Sequence, residues 1–200
     1  MSSRRRCATL GLPGYKEEEN NVFRMPSSNH LEQLVAEWYE FQGYFVRRNV
    51  QVGRGLRGGH EGELDVVAFH PTKNHLVHIE ASGDANFAAR EAKFRKKFEV
   101  GRKPIPDLFR GFKLPQKIDQ IGLFLAGKNR GTIGGGQMKL VSELIREILI
   151  ELKQNHPPMS CKVVPEGFPL LRTLQLVTEY SNRIVDVLNA QDKGSAMRSS

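Results

Sequence analysis

Two acids in this 200-residue chain fall where paired strands would carry them side by side. They are Asp65, which closes Gly62-Glu63-Leu64-Asp65, and Glu80, which opens Glu80-Ala81-Ser82. Carboxylates that converge on one point repel unless a cation lies between them, and oxygen-only ligation with room for water and phosphate favours Mg²⁺ or Mn²⁺. An ion held this way suits phosphodiester hydrolysis. The plain alternative is two unrelated acids on an exposed strand face, a common pattern by spacing alone.

The elements around the acids have to place them. Side chains alternate in Leu64 to Phe69 and in Leu76 to Ser82, as half-buried strands require, and His-Pro-Thr-Lys-Asn at 70 to 74 suits a hairpin loop between them. If the strands pair, Asp65 and Glu80 point to one face. Upstream, Leu31, Leu34, Val35 and Trp38 recur at helical spacing in a predicted helix from His30 to Gln42, with Ser28 or Asn29 as cap and Gly43 as terminator. Tyr44 to Val52 reads as a strand, followed by a glycine-rich loop carrying Arg54 and Arg57. Downstream, Ala85 to Gly101 reads as a helix with Asp84 as cap and Phe87, Phe94 and Phe98 as its buried stripe.

The resulting order, helix, strand, strand with Asp, strand with Glu, helix, resembles the PD-(D/E)xK phosphodiesterase superfamily from about His30 to about Lys97. Leu31-Glu32-Gln33-Leu34 through Gln42-Gly43-Tyr44 looks like the family's first helix, and Gly62-Glu63-Leu64-Asp65 like its Gly-Glu-(Ile/Leu)-Asp strand. The resemblance implies an α/β restriction-endonuclease-like core with a mixed central sheet flanked by helices. It further implies a Mg²⁺-dependent or Mn²⁺-dependent nuclease acting on DNA, with Asp65 and Glu80 as metal ligands and Glu32 as supporting acid. Glu37, the other helical acid, reads as a solvated side chain.

Ser82 departs from the pattern, standing where the family has Lys. A hydroxyl supplies no cation, so either a basic residue reaches in from elsewhere, or hydrolysis is poor, or catalysis is lost and binding retained. Arg90, Lys93 and Lys97 share a face of the following helix. Each turn moves about 5.4 Å along a helix, so a returning helix is expected to bring its early residues nearest Glu80. That favours Arg90 and Lys93 over Lys96 or Lys97, and Lys93 carries the preferred ammonium. His78 shares the strand face of Glu80 and is a candidate for proton transfer, although a lone strand histidine more often makes an ordinary hydrogen bond.

The formal net charge is +8 and the pI about 9.7, which suggests a polyanionic partner. Nine Lys or Arg against three Asp or Glu lie between Arg90 and Lys113. The expected phosphate contacts are Arg54, Arg57, Arg90, Lys96, Lys97, Arg102 and Lys103. Tyr44 and Phe45 are candidates for base stacking, though on a strand one of the two rings should face the core. The rival functional class is a catalytically silent, nuclease-like DNA-binding or regulatory module, which Ser82 motivates.

Cys7 and Cys161 form neither a disulfide framework nor a zinc motif, and no apolar run reaches the roughly 20 residues that span a bilayer, so a cytoplasmic protein is expected. One domain over residues 27–190 is expected, with residues 1–26 and 191–200 as disordered or flexible ends. Asp119 to Ala126 reads as a buried strand, Met138 to Gln154 as an amphipathic helix, and Leu170 to Leu188 as a further helix that serves the core or a homodimer face. Gly122 to Lys128 approaches a phosphate-binding loop but lacks the Ser/Thr, and Gly122 falls inside the strand, which argues against an NTPase.

Overall fold

The structure, a computed structural model, describes residues 30–53, 59–82 and 87–196, with 87–89 and 191–196 described by their backbone alone. The glycine loop with Arg54 and Arg57, the Asp84 cap, the N-terminal segment and the last four residues lie outside the described residues.

The chain folds as α/β. Helix α1 (His30–Phe41) leads into strands β1 (Phe45–Val52), β2 (Gly62–His70) and β3 (His75–Ser82), then α2 (Phe87–Arg102), a 3₁₀ turn (Ile105–Phe109) and β4 (Asp119–Phe124). There follow β5 (Thr132–Ile133), β6 (Gly136–Leu140), α3 (Val141–Asn155), α4 (Pro169–Glu179) and α5 (Ser181–Ala196). The sheet is open and mixed, in the order β1-β2-β3-β4-β6-β5. β1, β2 and β3 form an antiparallel meander, and α2 crosses over to bring β4 parallel to β3.

β2 and β3 are buried on both faces rather than half-buried. Val66, Ala68, Val77 and Ile79 meet α1, α3 and α4 on one side through Val35, Trp38, Leu144, Ile148 and Leu171. On the other side Val67, Phe69 and Leu76 meet Ile105 and Phe109, while Phe94 and Phe98 of α2 cover Phe124, Ile133 and Met138. Each fully buried phenylalanine contributes roughly 2 to 3 kcal/mol of transfer free energy, so α2 is firmly seated. That seating sets where its polar side chains reach.

Three further expectations change. Met138 to Leu140 belong to β6, because the stretch pairs in parallel with β4, and α3 starts only at Val141. The expected helix from Leu170 to Leu188 is broken at Tyr180 into α4 and α5. Glu37 is buried rather than solvated, and its Oε2 accepts the N–H groups of Leu170 (2.9 Å) and Leu171 (3.1 Å). It therefore caps α4 across the fold, satisfying donors that a helix start leaves open.

The glycine-rich stretch after β4 makes a hairpin. Gly134 and Gly135, both at positive φ (57° and 84°), form the two-residue turn between β5 and β6. The turn lies on α2, with Gly134 N–H donating to Glu91 Oε2 at 3.0 Å. A Cβ at Gly134 would come within 2.4 Å of the Arg95 nitrogen, so only glycine fits. Among the described residues no helix is long and apolar enough to cross a membrane.

Candidate functional site

The β2/β3 ladder runs from His70↔His75 to Val66↔Ile79, and one step further Asp65 and Glu80 would face each other. There the side chains take over from the backbone. Asp65 Oδ2 accepts the Ala81 N–H at 2.8 Å, and Glu80 Oε1 lies 3.4 Å from the Asp65 N–H. The strand is irregular at this point: Leu64 joins the apolar cluster of Val67 and Phe69, so strict alternation fails across Asp65. Asn49, at the facing position of β1, has φ of 52°. The two acids converge because they occupy opposed positions at the end of the β2/β3 ladder, where directly opposed side chains share a face.

The cation comes from α2, and it is Lys97 rather than Lys93. Lys97 Nζ contacts Asp65 Oδ1 at 3.3 Å and also contacts Glu80 Oε2. Helix and strand run past each other in register. Gly101 is level with His78, since a Cβ there would meet the imidazole at 2.9 Å. Four residues back along the helix is about 6 Å, and two residues along the strand is about 6 to 7 Å, which brings Lys97 level with Glu80. The helix starts beyond the strand end and returns, so its third turn, not its first, reaches the acids.

Lys93 sits one turn earlier and is exposed, as is Lys96. Arg90 is buried, its guanidinium 4.9 Å from the Phe124 ring centre, and does not belong to the exposed basic face expected for it. Arg102 and Lys103 are exposed at the end of α2, where Arg102 donates to Gln120 Oε1 at 3.1 Å. Glu32 stands near enough for its charge to act on Asp65.

His78 is fully buried, and its Nε2 lies 2.7 Å from Glu80 Oε1. Since a carboxylate oxygen accepts, Nε2 carries the hydrogen and donates to Glu80, while Nδ1 is buried with no hydrogen-bond partner among the described residues. The buried imidazole holds Glu80 in place through this bond. Gly101 leaves room for the ring.

The electrostatics divide the acids. Burial first, then the Glu80 charge, with a smaller push from Glu32, raises the Asp65 pKa from 3.8 to about 7, against the pull of Lys97 and the Ala81 N–H. Burial works against the Glu80 charge too, but His78 and Lys97 outweigh it and hold that carboxyl below its ordinary range. Burial likewise opposes the Lys97 charge, and the two carboxylates overcome it, so the ammonium is held above its usual pKa. Near neutral pH the site thus contains an ionised Glu80, a charged Lys97 and an Asp65 close to its midpoint.

No family model and no curated protein matches the chain.

The chemistry of the donor set suits a hard divalent cation. One ammonium leaves Asp65 under-compensated, and Glu80 Oε2 and both Asp65 oxygens offer acceptor sites for an ion, whereas Glu80 Oε1 already accepts from His78 and from the Asp65 N–H. Among the described residues there is no cluster of three or more His, Cys, Asp or Glu able to hold a metal, so Asp65 and Glu80 would be joined by water and phosphate oxygens, as Mg²⁺ permits. Sequence reasoning named both acids. It undervalued Lys97 and His78, although the Gly101 that admits the histidine, inside a run of good helix formers, was a readable sign of close packing.

Proposed function

We propose that the protein is a metal-dependent nuclease that hydrolyses DNA phosphodiester bonds in the cytoplasm, on a restriction-endonuclease-like core. The observation that carries this reading is the convergence of Asp65, Glu80 and the Lys97 ammonium at one point, with a helix supplying the cation that Ser82 does not. The order helix, three-stranded meander, helix, parallel strand supports it.

Asp65 and Glu80 would hold Mg²⁺ or Mn²⁺. When bound, the ion supplies Lewis acidity toward phosphate and water. Lys97, charged at neutral pH, stabilises negative charge that develops on the phosphoryl oxygens. His78 keeps the Glu80 carboxylate ionised and aimed, and Glu32 adds negative charge that favours cation capture. Lys96, Arg102 and Lys103 continue the positive surface along α2 and are suited to backbone phosphates.

The second reading, a silent DNA-binding or regulatory module, is favoured by one observation: Lys97 already touches both acids and neutralises part of their charge without any metal. Labelled duplex, single-stranded and branched DNA incubated with Mg²⁺, Mn²⁺ or EDTA separates the two. Metal-dependent products from wild type but not from Asp65→Ala support the nuclease. Salt-sensitive retention without products supports the silent module.

A further inference from the structure

β1 is an edge strand, and its first residue leaves a large ring in the open. Phe45 is 51 % exposed and lies beside Phe112, which is 46 % exposed, with ring centres 5.4 Å apart and planes tilted by 41°. Phe112 in turn rests against the buried Phe69 at 5.5 Å, which fixes the pair. The two rings border a groove of about 530 Å³ that reaches down to Leu108 and Phe109.

The surroundings are basic. Arg47 of β1 and Arg110 line the groove, and both are exposed, as is Lys113 just after Phe112. The nearby acids are Glu40 at the groove and Asp107, which pairs with Arg110 at 3.2 Å. Guanidinium groups around exposed aromatic faces suit a ligand that offers flat rings and phosphates together. Tyr44, the other ring considered for stacking, is committed to the fold: it packs edge-on against Tyr39, and its hydroxyl lies 2.8 Å from His75 Nδ1.

The groove is also aligned with the acids. Phe45 pairs with Phe69 and Arg47 with Val67, and directly opposed residues share a face, so both stand on the side of the sheet that carries Asp65. From Phe69 to Asp65 is four residues, about 13 Å along β2.

We propose that this groove is a stacking platform for unpaired bases of single-stranded DNA, with Arg47 and Arg110 on the phosphates, and that it leads the strand toward Asp65, Glu80 and Lys97. Paired bases in a duplex do not present their faces, so the substrate class is DNA with a single-stranded portion. The choice of DNA rests on the nuclease reading.

Fluorescence anisotropy in EDTA tests the platform without catalysis, using labelled oligothymidylate, its abasic counterpart, oligouridylate and a blunt duplex. Wild type should bind oligothymidylate more tightly than the other three. Phe45→Ala should weaken that binding by about fivefold or more, leave the abasic strand unaffected, and be rescued by Phe45→Tyr. Phe112→Ala should act alike, but it also touches the core, so Phe45, exposed in the folded protein, carries the test. Equal binding of the abasic strand, indifference to Phe45→Ala, or preference for oligouridylate or duplex overturns the platform. Adding Mg²⁺ or Mn²⁺ separates the two proposals. Base-dependent binding with no products leaves the platform standing and removes the nuclease, whereas cleavage indifferent to Phe45 does the reverse.

Discussion

Strand β3 begins and ends beside the same three kinds of side chain, lysine, carboxylate and histidine. At its start, Lys117 and His75 hold Asp119 at 2.6 and 3.1 Å; near its end, Lys97 and His78 hold Glu80. The first set is open to water, with His75 36 % and Asp119 40 % exposed, and Asp119 is held below its ordinary pKa chiefly by the Lys117 hydrogen bond. In the second set histidine and carboxylate are completely buried, and Asp65 stands opposite. Identical groups thus give an ordinary surface cluster at one end and a strained electrostatic balance at the other. Burial and a second acid make the difference.

The largest expected effect comes from removing the buried cation. Lys97→Met leaves Glu80 and Asp65 facing each other, and should cost about 3 kcal/mol in urea unfolding at pH 7.5, the lower part of the range for broken buried pairs because the lysine is 30 % exposed. Lowering the pH to 5 should recover part of the loss as Asp65 takes up a proton. A stability unchanged from wild type at both pH values would erase the contrast between the two sets.

Next in size is the role of His78. His78→Leu removes the donor to Glu80 without enlarging the side chain against Gly101, so Mn²⁺ affinity measured by calorimetry should fall about 10- to 100-fold, with partial recovery in His78→Gln.

Asp65 gives a pH signature. Its folded pKa, about 7, is above its ordinary 3.8, so the stability it lends is complete below about pH 4 and is lost as pH rises through 7. Asp65→Asn should therefore raise the melting temperature of metal-free protein at pH 8 more than at pH 5. A divalent ion must displace the same proton, so Mn²⁺ affinity of wild type should increase from pH 6 to pH 8. A flat profile would place Asp65 in an environment no different from that of Asp119.

The smallest effect is expected at the exposed set. Asp119→Asn should shift stability by no more than about 1 kcal/mol and leave Mn²⁺ binding as in wild type.

Local patterns made much of this molecule legible. Apolar periodicity locates α1, α2 and the three meander strands, and the glycine-bounded acid motif singles out Asp65. What local patterns do not carry is where one element meets another. Choosing between Lys93 and Lys97 requires the offset between α2 and β3, which Phe94 and Phe98 set by settling on the sheet. Glu37 looks solvated because its partners, the amides of Leu170 and Leu171, are more than 130 residues away. Met138 to Leu140 carry apolar residues usable by helix or strand, and pairing with β4 decides. Phe112 has no local signal at all; it becomes interesting only once Phe45 is beside it.

The glycine hairpin between β5 and β6 bears on the acids although it touches neither. Its tip braces α2 in mid-helix at Glu91 and Arg95, while the imidazole of His78 packs against the C-terminal end at Gly101. Two such contacts fix the register of the helix, and a shift of a single residue would swing Lys97 by about 100° away from the carboxylates. Borrowing a charge from a neighbouring helix therefore demands bracketing that a strand-borne lysine would not need, and lengthening the hairpin by one residue should disarm the distant acids as surely as altering them.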